Sequence, residues 1–414
     1  MNESYSHTES NYKQRIISSH IKKIAGTIPV VVVTGARQVG KSTMLRHEFP
    51  DYTYVTMDDY AMLDQARHDP QSLWHDTDQI IIDEAQKLPS LFHAIKLAVD
   101  ASNRKKRFII SGSANLYLMG KVTESLAGRA VYVDMLPMTL GELSGKESGN
   151  FNLLWQEQPQ IGYCAPPDLD LMTTLIRGFM PPVMTFTQPD QVLIWLDGYI
   201  KTYLERDLRE LSQVDSLIDF RKLMQTLALR TGNILNQSDV AKECALSQPT
   251  AHRYIKLLEV SNIIHRVPAY YASRTKRIVK APKLFFLDPA LAVFLSGYTD
   301  IDSLRKSREQ GGFFETLVYL HLKALCQTMT PPATLYYWRT TTKREVDFVI
   351  EHGRKLLPVE VKLTAKPTIH DAASLLAFMD EHPQAQLGVV VHGGDNVQWL
   401  HTKVVAVPWW WLDC

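Results

Sequence analysis

Nine consecutive residues of this 414-residue chain combine a glycine-rich turn with a lysine and two hydroxyl side chains. Four residues separate the two glycines, and Lys and Ser follow the second, which is the spacing of a phosphate-binding loop. Such a loop turns backbone N–H groups toward phosphate oxygens, and the partial positive charge of the next helix N-terminus adds to the attraction. The residues predicted to bind the phosphates of a nucleotide are Gly35, Ala36, Arg37, Gln38, Val39, Gly40, Lys41, Ser42 and Thr43.

Two of these side chains have separate predicted roles. The ammonium of Lys41 would reach the β- and γ-phosphates and take part in catalysis, and the hydroxyl of Ser42 would bind Mg²⁺. The apolar, β-branched run at 29–33 is typical of a buried parallel strand, and residues 44–47 can continue a helix. A glycine-rich turn that matches by chance is the alternative, and this flanking context argues against it.

A second pair of reactive side chains follows three isoleucines at 80–82. Ligands of open α/β sheets bind at the carboxyl ends of strands, so Asp83 and Glu84 are expected beside the phosphate loop. Successive side chains on a strand point in opposite directions, which lets the two carboxylates take different roles. Asp83 is predicted to hold Mg²⁺, and Glu84 is predicted to be the catalytic group that polarises the attacking water.

Two further positions are predicted to contact the nucleotide. Residues 108–115 read as a strand that ends in small polar residues, and Ser113 or Asn115 would then hydrogen-bond the γ-phosphate or the attacking water. A plain turn at the strand end is the alternative. Arg129 precedes a strand at 130–133 and is a candidate for neutralising phosphate charge, with simple solvation as the alternative.

The elements that must position these residues form an α/β domain, predicted over residues 1–210 with an amphipathic helix at 12–28. We expect strands near 30–34, 53–57, 79–83, 107–111 and 130–134.

Composition limits the class of protein. With 45% hydrophobic and 21% charged residues the chain is ordinary globular protein, and its length predicts two or three domains. A formal net charge of +1 means that any nucleic-acid surface must be a local patch. The scattered cysteines favour free thiols in a reducing compartment over a zinc ribbon; they are Cys164, Cys244, Cys326 and Cys414.

The sequence also predicts the compartment. Its first residues lack the basic start and apolar core of a signal peptide. No apolar run approaches the ~20 residues that span a bilayer. We therefore expect a cytoplasmic protein without a membrane segment.

A second domain, predicted over residues 211–300, has the pattern of a winged helix-turn-helix. A short helix at 238–245, a longer helix at 248–259 and strands near 263–268 and 284–287 form the pattern. The longer helix turns its apolar face inward, so its basic side chains face outward, and a basic hairpin lies between the strands. The predicted DNA contacts are His252, Arg253, Lys256, Arg274, Lys276 and Arg277.

The basic surface extends beyond these six residues. Between 251 and 283 the chain also carries Arg266, Lys280 and Lys283, and Glu259 is the one acidic residue of that span. This is the electrostatic pattern of a phosphate-backbone contact. Winged helices also contact proteins or cover ATPase cores, so a structural role stays open.

A third domain, predicted over residues 301–414, has the element order α-β-β-β-α-β of a restriction-endonuclease-like, or PD-(D/E)XK-like, core. The helix begins near 311. The strands are expected at 335–338, 345–350, 357–362 and 387–391, with a second helix near 368–381.

This order gives weight to a short carboxylate motif. Asp347 lies on the second strand, and Glu360 and Lys362 are two residues apart on the third, so both project from one face. Asp347 and Glu360 are predicted to bind Mg²⁺, and Lys362 to activate water for phosphodiester cleavage, with Glu315 as a further candidate. A polar network without activity, or an ordinary ion pair, is the alternative.

With these motifs the chain resembles a family of AAA+ type P-loop ATPases of bacteria and archaea, in which a winged helix and a restriction-endonuclease-like domain of unassigned function follow the ATPase. The similarity covers nearly the whole chain, including the phosphate loop, residues 82–86, residues 126–129 and the carboxylate motif. Residues 178–181 depart from the family's Gly-Gly-Phe-Pro pattern, so no role is assigned to them. The resemblance implies ATP binding and hydrolysis and leaves the biological process open.

The predicted function is a Mg²⁺-dependent ATPase that couples its nucleotide state to DNA binding, with DNA cleavage by the third domain as an added hypothesis. The alternative is a nucleotide-controlled DNA- or protein-binding regulator whose nuclease-like domain is inactive. ATP and Mg²⁺ are the expected cofactors and DNA the expected partner. A homo-oligomer stays open, because related ATPases often complete their site with a neighbour's arginine. Arg206 is a candidate for that contact, with a solvated helix face or an intrahelical ion pair as the alternative.

Overall fold

The computed structural model describes residues 12–113, 126–145, 149–156, 159–168, 170–207, 216–273, 277 and 280–414, except the side chains of 204–207, among them that of Arg206. The chain forms two compact units. One contains the residues up to 136 with 260–262, and the other contains 137–259 with 263–414. The three domains predicted from the sequence stay a prediction. No helix in the described ranges is long and apolar enough to cross a membrane.

The first unit is built on a parallel sheet. Its strands within the described ranges are β1 (Val30–Thr34), β2 (Thr53–Thr56), β3 (Gln79–Asp83), β4 (Arg107–Ser111) and β5 (Ala130–Asp134). They lie in the order β2-β3-β4-β1-β5, and every neighbouring pair is parallel. The predicted strands are thereby confirmed. Because β4 lies between β1 and β3, the carboxyl ends of these three strands meet at one edge.

Helices and short turns connect these strands. Buried apolar side chains on the strands, such as Val32, Ile82 and Phe108, pack against Leu91 and Ile95 of a helix. Burial of each such side chain contributes about 1.5–3 kcal/mol, so the sheet position is fixed by its apolar faces. The helices are α1 (Ile16–Thr27), α2 (Lys41–Glu48), α3 (Tyr60–His68) and α4 (Leu91–Ala101), with 3₁₀ turns at Pro70–Trp74 and Ala85–Lys87.

The second unit begins with helices and contains a two-stranded and a six-stranded sheet within the described residues. Its helices are α5 (Leu140–Ser144), α6 (Asn150–Leu153), α7 (Leu171–Arg177), α8 (Pro189–Tyr199), α9 (Leu217–Ala228), α10 (Gln237–Glu243), α11 (Gln248–Val260), α12 (Pro289–Leu295), α13 (Ile301–Arg305), α14 (Gln310–Thr328) and α15 (Ala373–Glu381). A π-helix spans Ile200–Asp207, and 3₁₀ turns span Pro181–Thr185, Ile369–Ala372 and Trp411–Asp413.

The strands of this unit follow the predicted order. They are β6 (Ile264–Val267), β7 (Lys283–Phe286), β8 (Thr334–Arg339), β9 (Glu345–His352), β10 (Lys355–Lys362), β11 (Gly388–His392), β12 (Gln398–His401) and β13 (Val404–Pro408). Strands β6 and β7 pair antiparallel after α11. In the larger sheet β9 lies antiparallel between β8 and β10, and β11 runs parallel to β10. The element order α-β-β-β-α-β from α14 to β11 is therefore present.

The structure corrects the prediction of four free thiols. Cys164 and Cys414 form a disulfide with Cα atoms 6.4 Å apart, whereas Cys244 and Cys326 are free and buried. The paired cysteines are 250 residues apart in sequence, so their spacing gave no signal. The segments around them are joined by two indole hydrogen bonds, from Trp410 Nε1 to the carbonyl of Cys164 at 3.3 Å and from Trp411 Nε1 to the carbonyl of Gly162 at 2.8 Å.

Gly178, which had no assigned role, lies at a close contact after α7. Its φ is 71°, and a Cβ there would lie 2.3 Å from Asp288 Oδ1 and 2.6 Å from the Cβ of Ala290. The buried Asp288 carboxylate accepts hydrogen bonds from the N–H of Phe179 at 2.7 Å and of Ala290 at 2.8 Å. The glycine is therefore required by both backbone conformation and space.

This contact gives a stability prediction with a matched control. Gly178→Ala should destabilise the protein by about 2–6 kcal/mol, since a backbone conformation that is essentially restricted to glycine costs about 1–3 kcal/mol and the clash adds about 1–3. Gly297 also has a positive φ, of 88°, but nothing lies within 4 Å of a Cβ there. Gly297→Ala should therefore cost only the backbone part. If urea denaturation gives the same loss of unfolding free energy for Gly178→Ala and Gly297→Ala, the contact with Asp288 is unimportant.

Candidate functional site

The phosphate loop lies between β1 and α2 with the backbone geometry of an anion cradle. Gly35 has a φ of 143° and Gly40 a φ of 92°, and Gln38 between them is also left-handed with a φ of 65°. A Cβ at Gly35 would lie 2.3 Å from the carbonyl oxygen of Met135, so no larger residue fits there. Anion-binding loops use such left-handed conformations to turn successive backbone N–H groups toward their ligand.

Lys41 begins α2 and is buried, with 7% of its surface exposed. Its ammonium donates to the carbonyl oxygens of Gly35 at 3.0 Å and of Ala36 at 2.9 Å. Burial lowers the pKa of Lys41 to about 8, although the nearby Glu84 and Asp83 favour the charged form. A charged group is thus held at the centre of the loop by neutral partners, and an anion would stabilise it further.

Asp83 ends β3 with its carboxylate almost completely buried. The hydroxyls of Tyr54 and Ser111 donate to its two oxygens, and the backbone N–H of Glu84 donates to Oδ1 at 3.0 Å. Tyr54 belongs to β2 and Ser111 to β4, the strands on either side of β3. The neighbouring strands therefore fix the orientation of this carboxylate.

Glu84 follows in a left-handed conformation, with φ 53° and ψ 36°. Such a backbone is uncommon for a residue with a Cβ, and it is found where the surrounding structure enforces it. The amide of Gln86 donates to the carboxylate. Burial, and then the charge of Asp83, raise the pKa of Glu84, which makes it a better proton acceptor than an exposed glutamate.

Ser113 lies just beyond the end of β4, between the strands that carry the loop and Asp83, whereas Asn115 lies outside the described residues. It is 1% exposed, and its hydroxyl has no hydrogen-bond partner within the described ranges. A buried hydroxyl without a partner costs roughly 1–3 kcal/mol, so it points to a group that arrives with a ligand. With the loop, Lys41 and the two carboxylates, this hydroxyl fits a nucleoside triphosphate. Ser42 and Asp83 are the residues that would hold Mg²⁺ beside it.

Sequence reasoning missed three contributors to this site. Tyr54 and Ser111 hold Asp83 as described, and Arg15, which precedes α1, donates to the carbonyl of Val39 at 2.8 Å and of Leu136 at 2.7 Å. Arg15 is 5% exposed, and its hydrogen bond to Val39 stabilises the conformation of the phosphate loop. Nothing in the local sequence marks these residues, because their contacts depend on strand order and on how α1 packs.

The structure corrects the expectation for Arg129. This residue precedes β5, where Ala130 pairs with Val30 at the amino end of β1, whereas the phosphate loop follows the carboxyl end. Its guanidinium binds both carboxylate oxygens of Asp100, at 2.7 and 2.8 Å. Arg129 therefore lies at the opposite edge of the sheet from the predicted nucleotide.

The predicted DNA contacts are only partly placed. His252, Arg253 and Lys256 are exposed on α11, which confirms that this face points outward. Arg274 and Lys276 lie outside the described residues.

Two other basic residues are turned inward, which corrects the predicted surface. The guanidinium of Arg277 binds Glu351 at 2.7 and 3.2 Å and lies over the rings of Tyr270 and Tyr336, at 4.4 and 4.7 Å. Lys283 is 2% exposed. The sequence analysis counted both residues as surface charge because their carboxylate partners are distant in sequence.

The C-terminal carboxylate motif is assembled, but both of its acids already have cationic partners. Asp347 Oδ1 accepts from the Lys283 ammonium at 2.9 Å, and Oδ2 accepts from the backbone N–H of Val361 at 2.9 Å. Glu360 accepts from Lys362 at 2.6 Å. No group of three or more His, Cys, Asp or Glu side chains in the described part of the chain is arranged to hold a metal. The motif therefore does not fit a divalent cation in this arrangement.

Three family models match successive stretches of the chain. The model described as an AAA domain matches residues 27–144, which contain the phosphate loop and the Asp83–Glu84 pair. Two models described as domains of unknown function, DUF8612 and DUF4143, match residues 168–302 and 310–412.

Some solved structures are similar in part. The Walker-type ATPase PABY2304 of Pyrococcus abyssi is 18% identical with a TM-score of 0.45, covering 67% of this chain and 94% of that one. AMPPCP-bound DnaA of Aquifex aeolicus is 14% identical with a TM-score of 0.26, covering 58% of this chain and 86% of that one.

Two mycobacterial proteins are similar over nearly the whole sequence. Uncharacterized protein Rv2008c of Mycobacterium tuberculosis and uncharacterized protein Mb2031c of Mycobacterium bovis are each 30% identical to the chain over 398 residues, which is 96% of this chain and 83% of each relative. The chain therefore belongs to the same family as these two proteins, and its residues 27–144 contain an AAA domain.

Proposed function

We propose that the chain binds and hydrolyses ATP with Mg²⁺ at the carboxyl edge of the first sheet. The observation that carries this proposal is the buried Lys41 ammonium, held among loop carbonyls beside two carboxylates. Backbone N–H groups of residues 35–43 would bind the phosphates, and Lys41 would transfer its hydrogen bonds to the β- and γ-phosphate oxygens. Mg²⁺, held by Ser42 and Asp83, would neutralise phosphate charge.

Glu84 is the proposed base in this reaction. Its raised pKa and its position next to Asp83 suit a carboxylate that orients a water and accepts its proton. Ser113 would donate to the γ-phosphate or to that water, which would give its hydroxyl a partner. The hydroxyls of Tyr54 and Ser111 donate to Asp83, whereas the amide of Gln86 donates to Glu84, so the two acids have different partners and can take different roles.

A second proposal concerns DNA. We infer that the outward face of α11 contacts the phosphate backbone through His252, Arg253 and Lys256, because these side chains are exposed on a helix that follows α10 after a short turn, as in the predicted helix-turn-helix. The nucleotide state of the first unit would then control this binding. A nuclease step is not part of the proposal, because Asp347 and Glu360 do not fit a metal as they stand.

Two substitutions separate binding from catalysis at the nucleotide site. Lys41→Ala should weaken ATP binding and lower turnover by roughly 10²–10³-fold, since it removes the charge that stabilises the transferred phosphoryl group. Glu84→Gln should bind ATP normally and hydrolyse it roughly 10²–10⁴-fold more slowly. Steady-state ATPase rates and equilibrium nucleotide binding distinguish the two. Lys105→Ala, an exposed residue before β4, is the control and should leave both unchanged. Unchanged turnover in both site variants would refute the assignment.

The pKa of Lys41 predicts a pH dependence of ATP affinity. Because this pKa is lowered to about 8, the empty site loses its ammonium as pH rises through that value, and bound phosphate should restore the proton. ATP affinity should therefore fall above about pH 8, with uptake of up to about one proton per ATP near pH 9. Calorimetry in buffers of different ionisation enthalpy measures this uptake. Lys41→Arg, which stays charged, should show no such uptake, and a wild type that also shows none contradicts the prediction.

The DNA proposal predicts a change in salt dependence. Removing one side chain that binds a phosphate should lower the slope of log affinity against log salt by about 1. Arg253→Ala and Lys256→Ala should each do so, whereas Lys222→Ala, an exposed lysine on α9, should not. Fluorescence anisotropy with duplex DNA at several salt concentrations provides the slopes. Equal slopes for all three variants would exclude the face of α11 as the contact.

A further inference from the structure

The strongest unassigned feature of the molecule is a buried lysine among carboxylates in the second unit. Lys283 begins β7 and is 2% exposed. Its ammonium lies 2.6 Å from an oxygen of Glu345, 2.9 Å from Asp347 and 3.3 Å from Glu315. One cation is thus bound by three carboxylates.

These carboxylates come from two elements of the α-β-β-β-α-β core. Glu315 projects from α14, and Glu345 and Asp347 project from β9, where they are two residues apart and so share a face. Lys283 comes from β7, which is outside that core. Helix α14 and the larger sheet therefore supply the three acids, and a strand from elsewhere in the same unit supplies the positive charge.

The lysine and a metal ion cannot both use this pocket. Both oxygens of Asp347 are engaged, one by Lys283 and the other by the backbone N–H of Val361. Mg²⁺ requires oxygen ligands at about 2.0–2.1 Å, so it would have to displace the ammonium from the centre of the cluster.

The other lysine of the motif does not perform this role. Lys362 lies on β10, and its ammonium is 2.6 Å from Glu360 rather than among the three acids. Its side chain is 37% exposed, compared with 2% for Lys283. Each lysine therefore has its own acid partners, and Lys283 is the one enclosed at the cluster's centre.

We infer that Lys283 is the built-in cation of this pocket and takes the place of a divalent metal among Asp347, Glu315 and Glu345. The cluster then has a structural role, because its ion pairs stabilise the packing of β7 against the larger sheet. The wild-type chain has no metal-dependent nuclease centre there. This inference is independent of the proposed ATPase site, whose residues all lie in the first unit.

The test measures Mn²⁺ binding to the full-length chain without nucleotide. The EPR signal of free Mn²⁺ reports how much of the added metal stays unbound. Wild type and Asp347→Asn should bind Mn²⁺ equally, because the pocket takes none in either. Lys283→Met removes the charge at similar length and should bind one additional Mn²⁺, which the Lys283→Met, Asp347→Asn double variant should lose. Lys280→Met is the matched control, since it removes an exposed charge three residues away and should add no Mn²⁺.

Two results would overturn the inference. One is Mn²⁺ binding by wild type that Asp347→Asn removes, and the other is a folded Lys283→Met variant that gains no Mn²⁺. If Lys283→Met does not fold, a DNA cleavage assay with the wild type tests the inference instead. Labelled linear, forked and four-way DNA is incubated with wild type and Asp347→Asn in Mn²⁺. If neither wild type nor Asp347→Asn cleaves the DNA, the structural role of Lys283 is supported. Cleavage that depends on Asp347 contradicts it.

Discussion

Desolvation of a single ammonium is the constraint on which the first unit depends. Lys41 is buried at the start of α2, and two loop carbonyls are its direct partners, so its charged form is destabilised and its pKa falls to about 8. The strand order brings Asp83 and Glu84 close enough to offset part of this loss. A bound triphosphate would offset the remainder, which explains why a protein would maintain a buried charge without a full counter-charge.

The second unit also buries an ammonium, but it surrounds the charge with carboxylates instead of carbonyls. Lys283 is as deeply buried as Lys41, but three carboxylates surround it and raise its pKa. A charge that is already neutralised has little affinity for a further anion, and its acids have little affinity for a further cation. Of two buried lysines, one is therefore suited to binding a ligand and the other to holding strands together. The difference lies in their partners and not in their burial.

Much of the first unit could be predicted from local sequence. The loop, Asp83, Glu84 and the strand ends depend on motifs and apolar runs that a few neighbouring residues define. What failed depended on pairing between distant segments. The position of Arg129 follows from the register of β5 against β1, and the contacts of Tyr54 and Ser111 with Asp83 follow from strand order. The basic surface was overestimated for the same reason, because Arg277 and Lys283 meet acids that are more than 30 residues away in sequence.

A crystal structure of the Glu84→Gln variant with Mg²⁺ and ATP tests the central claim most directly. The account predicts that the Lys41 ammonium leaves the carbonyls of Gly35 and Ala36 for β- and γ-phosphate oxygens. It also predicts that the hydroxyl of Ser113 acquires a partner at the γ-phosphate or the adjacent water. Nucleotide bound elsewhere, with Lys41 still on the two carbonyls and Ser113 still unpartnered, would contradict it.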